Sequence, residues 1–326
     1  MIATFGSAMD LLLSVCAVIL TIGVLIPAIK IFRGWSKSDE EEKQVLQKEF
    51  YLAFSGIVII LVIRLFLLPI YFWAMQGFVP MIPGAMCLWG VFTAVPAAWG
   101  ALLLKFALPV VYVGWIFLYY IDSKSKTHPL MRNMMAFFII ISPLVLIDSG
   151  TDLLVFGQIS PIHVNCCSDA IDLGMRPVPG SIGALSGQMQ LLIIFFLVGS
   201  LFAFSLFLSI KHRAANWVAL ALSLPLAGIY VLNMTEVLAP WLLHLPFHHC
   251  PFCLLQDHPL SIAFSLLIWF GVAAPWLMLI TGAMGHETLE TQQTESKVKN
   301  AILKAAALSI LIALVLIAVD IFVAFS

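Results

Sequence analysis

The chain alternates long apolar runs with short polar breaks. Eight runs, near residues 9–32, 50–75, 100–121, 134–157, 188–210, 217–240, 259–284 and 301–325, have few charges. A helix of about 20 apolar residues, rising 1.5 Å per residue, crosses about 30 Å of hydrocarbon, so each run is long enough for one transmembrane helix. Val, Ile and Phe would also suit strands, but these runs lack the period-2 alternation of a membrane barrel. The expected fold class is an all-α polytopic membrane protein with eight transmembrane helices. Residues 1–326 read as a single helical bundle without a separate soluble domain. Between the second and third runs, Pro80, Pro83 and Pro96 break up an apolar stretch that also holds Trp89 and Trp99. That pattern predicts an interfacial or re-entrant cover carrying Cys87 over the bundle mouth. The polar tracts Asp39–Lys43 and Thr288–Asn300 read as solvated helix extensions or loops. No side-chain repeat at 20–50 residues suggests a solenoid.

Composition narrows the class further. Hydrophobic residues make up 62% of the 326 and charged residues 10%, with a mean hydropathy of +1.06. A water-exposed surface needs roughly a quarter of its residues charged, which excludes a soluble fold and makes the lipid bilayer the first partner. Sixteen cations against 17 anions leave no basic face for nucleic acid.

The cations are placed unevenly. Lys30, Arg33, Lys37, Lys43 and Lys48 follow the first run, Lys124, Lys126 and Arg132 the third, and Lys211 and Arg213 the fifth; Lys297, Lys299 and Lys304 surround the start of the eighth. Only Arg176 falls in the opposite loops, and Arg64 and Lys105 lie within runs. Cations concentrate on the cytoplasmic side, so both termini are expected outside. The first run lacks a basic region before it and is expected to be retained as a span. Short loops, and no sequon outside the spans, point to a bacterial inner (plasma) membrane.

The outside loops gather the reactive residues. They hold Cys87, the Cys166-Cys167 pair near His163, and the sequence His248-His249-Cys250-Pro251-Phe252-Cys253 just before the seventh run. With Cys250 at a helix start, the helix dipole and His249 would draw the first thiol toward reactive thiolate, with Cys253 as resolving thiol. Cys250-Pro-Phe-Cys253 resembles the redox tetrapeptide of glutaredoxins, over those four residues and without their fold. The leading expectation is therefore a membrane thiol–disulfide oxidoreductase. Cys166, Cys167 or Cys87 would serve as shuttle, exchanging electrons with a lipid-soluble quinone, and an extracytoplasmic redox protein would be the partner.

The same residues support a second reading. Cys250, Cys253, His248 and His163 have the donor types that copper or zinc prefers, which suits soft-metal binding or transport and an extracytoplasmic metalloprotein partner. A third reading has no chemistry: the cysteines tie loops in a structural or anchoring subunit of a membrane complex. Haem b held between transmembrane histidines is not expected, because no histidine lies clearly within a run. P-loop, GxGxxG and HExxH motifs are absent.

A second constellation lies inside the membrane. Asp148 and Asp152, four apart, share a helix face, and Arg64, Lys105, Glu236 and Asp320 accompany them in other runs. Counted from the inner ends of their runs, Arg64 and Asp148 lie at the same depth and are expected to pair. Lys105 can instead snorkel outward, and Glu236 and Asp320 can sit at the interface. The functional alternative is a proton path or polar cavity beneath the Cys/His loops.

Overall fold

The computed structural model describes residues 4–34, 40–125, 128–164, 185–245, 248–284 and 289–325. Among them there is no strand, and the helices in chain order are α1 (Phe5–Gly34), α2 (Glu40–Gln76), α3 (Leu88–Ala94), α4 (Ala97–Asp122), α5 (Met131–Gln158), α6 (Leu185–Ser209), α7 (Arg213–Asn233), α8 (Pro251–Asp257), α9 (Pro259–Met284) and α10 (Leu289–Phe325). Helix α7 runs on through a π turn at Met234–Leu238 and one α turn at Ala239–Leu242. Eight helices are long and apolar enough to cross a membrane, and they coincide with the eight runs of the sequence. Helices α3 and α8, at seven residues each, are too short to span.

Beside large apolar side chains, small and polar residues take many of the buried positions along the helices. On α1 the buried positions include Ser7, Asp10, Ser14, Ala17, Thr21 and Ala28, while Leu12, Ile19 and Ile26 are exposed. On α10 Ala306, Ala307 and Ala313 are buried, and Leu308, Val315 and Phe322 face outward. Lipid is as apolar as leucine, so large apolar residues serve equally inside and outside. Small and polar residues are placed at helix contacts, where backbones approach closely and hydrogen bonds form. This arrangement makes the chain an integral membrane protein.

Six spanning helices carry an internal proline: Pro27, Pro69, Pro109, Pro143, Pro225 and Pro275. Each removes the N–H that would bond the carbonyl four residues earlier, and in lipid that carbonyl needs another donor. At Pro143 the donor is local: the Ser142 hydroxyl donates to the Ile139 carbonyl at 3.0 Å.

The chain forms two compact units. Unit 1 comprises Met1–Ile82, Val91–Ile162 and Leu279–Ser296 and contains α1, α2, α4 and α5. Here α1 packs on α2 and α5, and α4 packs on α5 and α2. The α1–α2 approach is close because residue 6 is glycine: a Cβ there would lie 2.9 Å from the Ala74 Cα. Trp115, fully buried on α4, donates its Nε1–H to the Met134 carbonyl at 2.9 Å. Unit 2 comprises Pro83–Gly90, His163–Met278 and Lys297–Ser326. Helix α6 packs along α7, and α7 is tied to α9 by Trp276 Nε1, which donates to Ser223 Oγ at 3.0 Å, and by a 2.5 Å bond between the Tyr230 and Ser265 hydroxyls.

Candidate functional site

Unit 2 holds a cluster of three cysteines. Cys250 has extended backbone and caps α8, with Pro251 at the first helical position, where a missing N–H costs nothing. Three residues on, Cys253 lies one turn along the same helix, so the two thiols share a face. The third member, Cys87, comes from the segment that precedes α3. The Sγ atoms of Cys87, Cys250 and Cys253 all lie within 4.8 Å of one another, and Cys87 Sγ is 3.5 Å from Cys250 Sγ. Cys250 is 0% exposed, Cys87 1% and Cys253 8%, under a cover of Trp89, Leu243 and Phe252.

The position of Cys87 depends on a close backbone crossing. The Val164 N–H donates to the Pro83 carbonyl at 2.9 Å, and the next residue, Gly84, has φ +86°. A Cβ at Gly84 would collide with the Val164 carbonyl, so both the conformation and the space require glycine. Gly84→Ala is expected to displace the Pro83–Cys87 segment at a cost of about 1–3 kcal/mol. Alkylation of Cys87 in native membranes checks this: the variant should label faster than wild type, whereas an unchanged rate would show that the crossing does not hold Cys87.

The π turn brings a second pair beside the thiols in sequence. Pro240 has no N–H to offer the Glu236 carbonyl, and Gln188 Nε2 donates to it instead at 2.7 Å. Gln188 Oε1 in turn accepts from Trp241 Nε1 at 3.1 Å. Held this way, the buried Glu236 carboxylate lies 3.6 Å from His249 Nδ1, which also lies 3.0 Å from the Thr235 carbonyl. A carbonyl only accepts, so Nδ1 carries the proton and donates to it. The other ring nitrogen, Nε2, is buried and has no hydrogen-bond partner among the described residues.

The structure thus brings Cys250 and Cys253 together as their spacing predicts, and adds Cys87 to them. His249 is the neighbour of Cys250 in the chain, but its ring is held by Thr235 and Glu236. His248 and His163 are not among the residues whose ligand atoms cluster with the three sulfurs. His163 is exposed beside Gly84. Cys166, Cys167 and Arg176 lie outside the described residues. Cys16 is exposed on α1. Asp320, expected at an interface, lies 3.4 Å from His258 within unit 2, and its side chain is 12% exposed.

Unit 1 holds the intramembrane charges. Arg64 Nη2 is 2.6 Å from Asp148 Oδ2, the pair anticipated by depth. The pair is part of a larger network: Lys105 Nζ lies 2.9 Å from Asp148 Oδ1 and 2.7 Å from Asp152 Oδ1. Arg64 Nη1 lies 3.4 Å from Asp152 Oδ2, to which the Ser14 hydroxyl also donates at 3.1 Å. Lys105 therefore does not snorkel. It is buried, with Nζ 5.3 Å from the centre of the Tyr71 ring. Asp10 on α1, fully buried near this network, was not singled out from sequence.

Compared with protein-family models, curated proteins and solved structures, the chain matches none.

Proposed function

We propose that this integral membrane protein holds one soft metal ion, Cu(I) before Zn(II), between the thiolates of Cys87, Cys250 and Cys253. The observation that carries the reading is the convergence of three buried sulfurs within 4.8 Å from two separate chain segments. Metal–sulfur bonds of about 2.3 Å place ligand sulfurs about 4 Å apart, so small side-chain adjustments would close the set on an ion. Thiolate is the ligand type that selects Cu(I). Burial adds to this: reactive thiols that meet protein substrates are at least partly exposed, whereas Cys250 and Cys87 are covered. The cation distribution supports an exoplasmic thiol end, and short loops support a bacterial inner membrane, so the ion would pass to or from an extracytoplasmic metalloprotein.

A second reading is favoured by the 3.5 Å approach of Cys87 to Cys250. In it, Cys250 as thiolate attacks a disulfide and Cys253 resolves the mixed disulfide. The resulting Cys250–Cys253 disulfide is then reduced by Cys87 paired with a further thiol, and the disulfide so formed at Cys87 takes two electrons and two protons from a quinol, which leaves as quinone. In a third reading the cysteines only tie the loops of an anchoring subunit.

Elemental analysis separates them, on the full chain purified in mild detergent under reducing, chelator-free conditions with thiols counted in the same sample. About one copper or zinc per chain is expected, absent from the Cys250→Ser/Cys253→Ser variant. No metal together with a reducible Cys250–Cys253 bond would overturn the metal reading in favour of exchange. No metal with inert cysteines would leave the anchoring role.

A further inference from the structure

Unit 1 contains a charge imbalance that its ion pairs do not resolve. Three carboxylates, Asp10, Asp148 and Asp152, share the interior with two cations, Arg64 and Lys105. The cations spend their short contacts on Asp148 and Asp152, and none of these contacts reaches Asp10. Asp10 is 0% exposed, and neither of its carboxylate oxygens has a hydrogen-bond partner among the described residues. It is within electrostatic range of Asp152, Lys105, Arg64 and Asp148. An uncompensated buried carboxylate costs several kcal/mol, so the cluster calls for one further positive charge.

We propose that unit 1 is a proton-binding element, in which Asp10, within electrostatic range of Arg64 and Tyr71 of α2, Lys105 of α4, and Asp148 and Asp152 of α5, holds one exchangeable proton. A proton neutralises the surplus charge without needing a cavity. The hydroxyl of Tyr71 is buried and unpartnered among the described residues. Tyr71 lies in electrostatic range of Asp152, Asp10 and Asp148, which adds an unsatisfied hydroxyl to the same buried cluster. Asp10 lies five residues into α1, about 7.5 Å from its start by helical rise, a short distance for exchange with water at that end. Uptake converts the Asp10 carboxylate to a carboxylic acid, and release returns the proton to water. Buried ionisable groups within spanning helices mark proton and ion pathways in membrane proteins. This inference does not rest on the thiol centre in unit 2.

The test is infrared difference spectroscopy of the full chain in lipid nanodiscs, titrated with pH in H2O and in D2O. Wild type should show one protonated carboxylic C=O band that disappears as pH rises and shifts in D2O. Asp10→Asn, which mimics the protonated acid in shape, should lack it. If that variant does not fold, Asp10→Glu should move the band rather than abolish it. A band that persists unchanged in these variants, or no band in wild type at any pH, would overturn the proposal. So would a thermal midpoint that rises with sodium but not choline chloride at fixed pH and loses that response in Asp10→Asn, because the bound charge would then be a metal cation.

Discussion

Arg64→Met is expected to lower the stability of the full chain by about 3–5 kcal/mol, because it leaves buried carboxylates facing a single cation. Native domains are stable by only about 5–15 kcal/mol, so the variant should give a much lower thermal midpoint in detergent and a reduced yield of monodisperse protein. The geometry sets the size of the effect. Arg64 reaches Asp148 through Nη2 and Asp152 through Nη1, and the Ser14 hydroxyl accepts from Nη1 at 3.1 Å. Methionine fills much of the volume but replaces none of these bonds. Arg64→Lys keeps the charge and loses the fork, so its cost should be smaller. Adding Asp148→Asn to Arg64→Met should recover part of the loss, since Lys105 can still neutralise Asp152, and the double-mutant cycle measures that coupling. A single variant as stable as wild type would show that the network does not hold unit 1 together.

What could be read from the sequence follows from which interactions are local. Span length and the absence of period-2 alternation were sufficient for the eight helices, because the bilayer fixes helix length without reference to neighbours. Counting depth paired Arg64 with Asp148, since both spans are measured against the same slab. Lys105 was ambiguous for the same reason: a long side chain can reach either the interface or a partner, and only the packing of α4 on α5 decides for the partner. Asp10 sits at the edge of the first apolar run, where a carboxylate reads as interfacial. The signal that places it inside is the stripe Asp10, Ser14, Ala17, Thr21 at helical spacing, small and polar on the buried side of a helix in lipid.

The thiol cluster divides the same way. Cys250 and Cys253 are adjacent by spacing alone, but Cys87 lies 163 residues from Cys250 and joins it only in the folded unit. Its clue was the proline-broken stretch before α4, which marks an irregular segment over the bundle without saying what it covers. Glu236 read as interfacial because its role depends on the π turn. Pro240 marks that turn in the sequence, and Gln188, which satisfies the freed carbonyl, comes from another helix. The division into two compact units has no local signature, since each unit is defined by long-range packing.

Cys87→Ser tests whether the long-range member of the cluster is a ligand, and it is expected to weaken Cu(I) binding more than the roughly 10–100-fold that loss of an outer-layer partner produces. Serine is close to cysteine in size, so the cover of Trp89, Leu243 and Phe252 should persist. A hydroxyl oxygen is a hard donor and does not replace a thiolate on a soft ion. The measurement is competition against a chromophoric Cu(I) chelator, with the sulfur count read by X-ray absorption and expected to fall from three in wild type to two. Cys16→Ser, exposed on α1, should leave both values unchanged. If Cys87→Ser binds as tightly as wild type, the ion is held by Cys250 and Cys253 with other donors, and the approach of Cys87 to Cys250 belongs to thiol exchange instead. Cys87→Ser would then leave the Cys250–Cys253 disulfide intact while blocking its re-reduction, a result that a purely metal-binding centre does not produce.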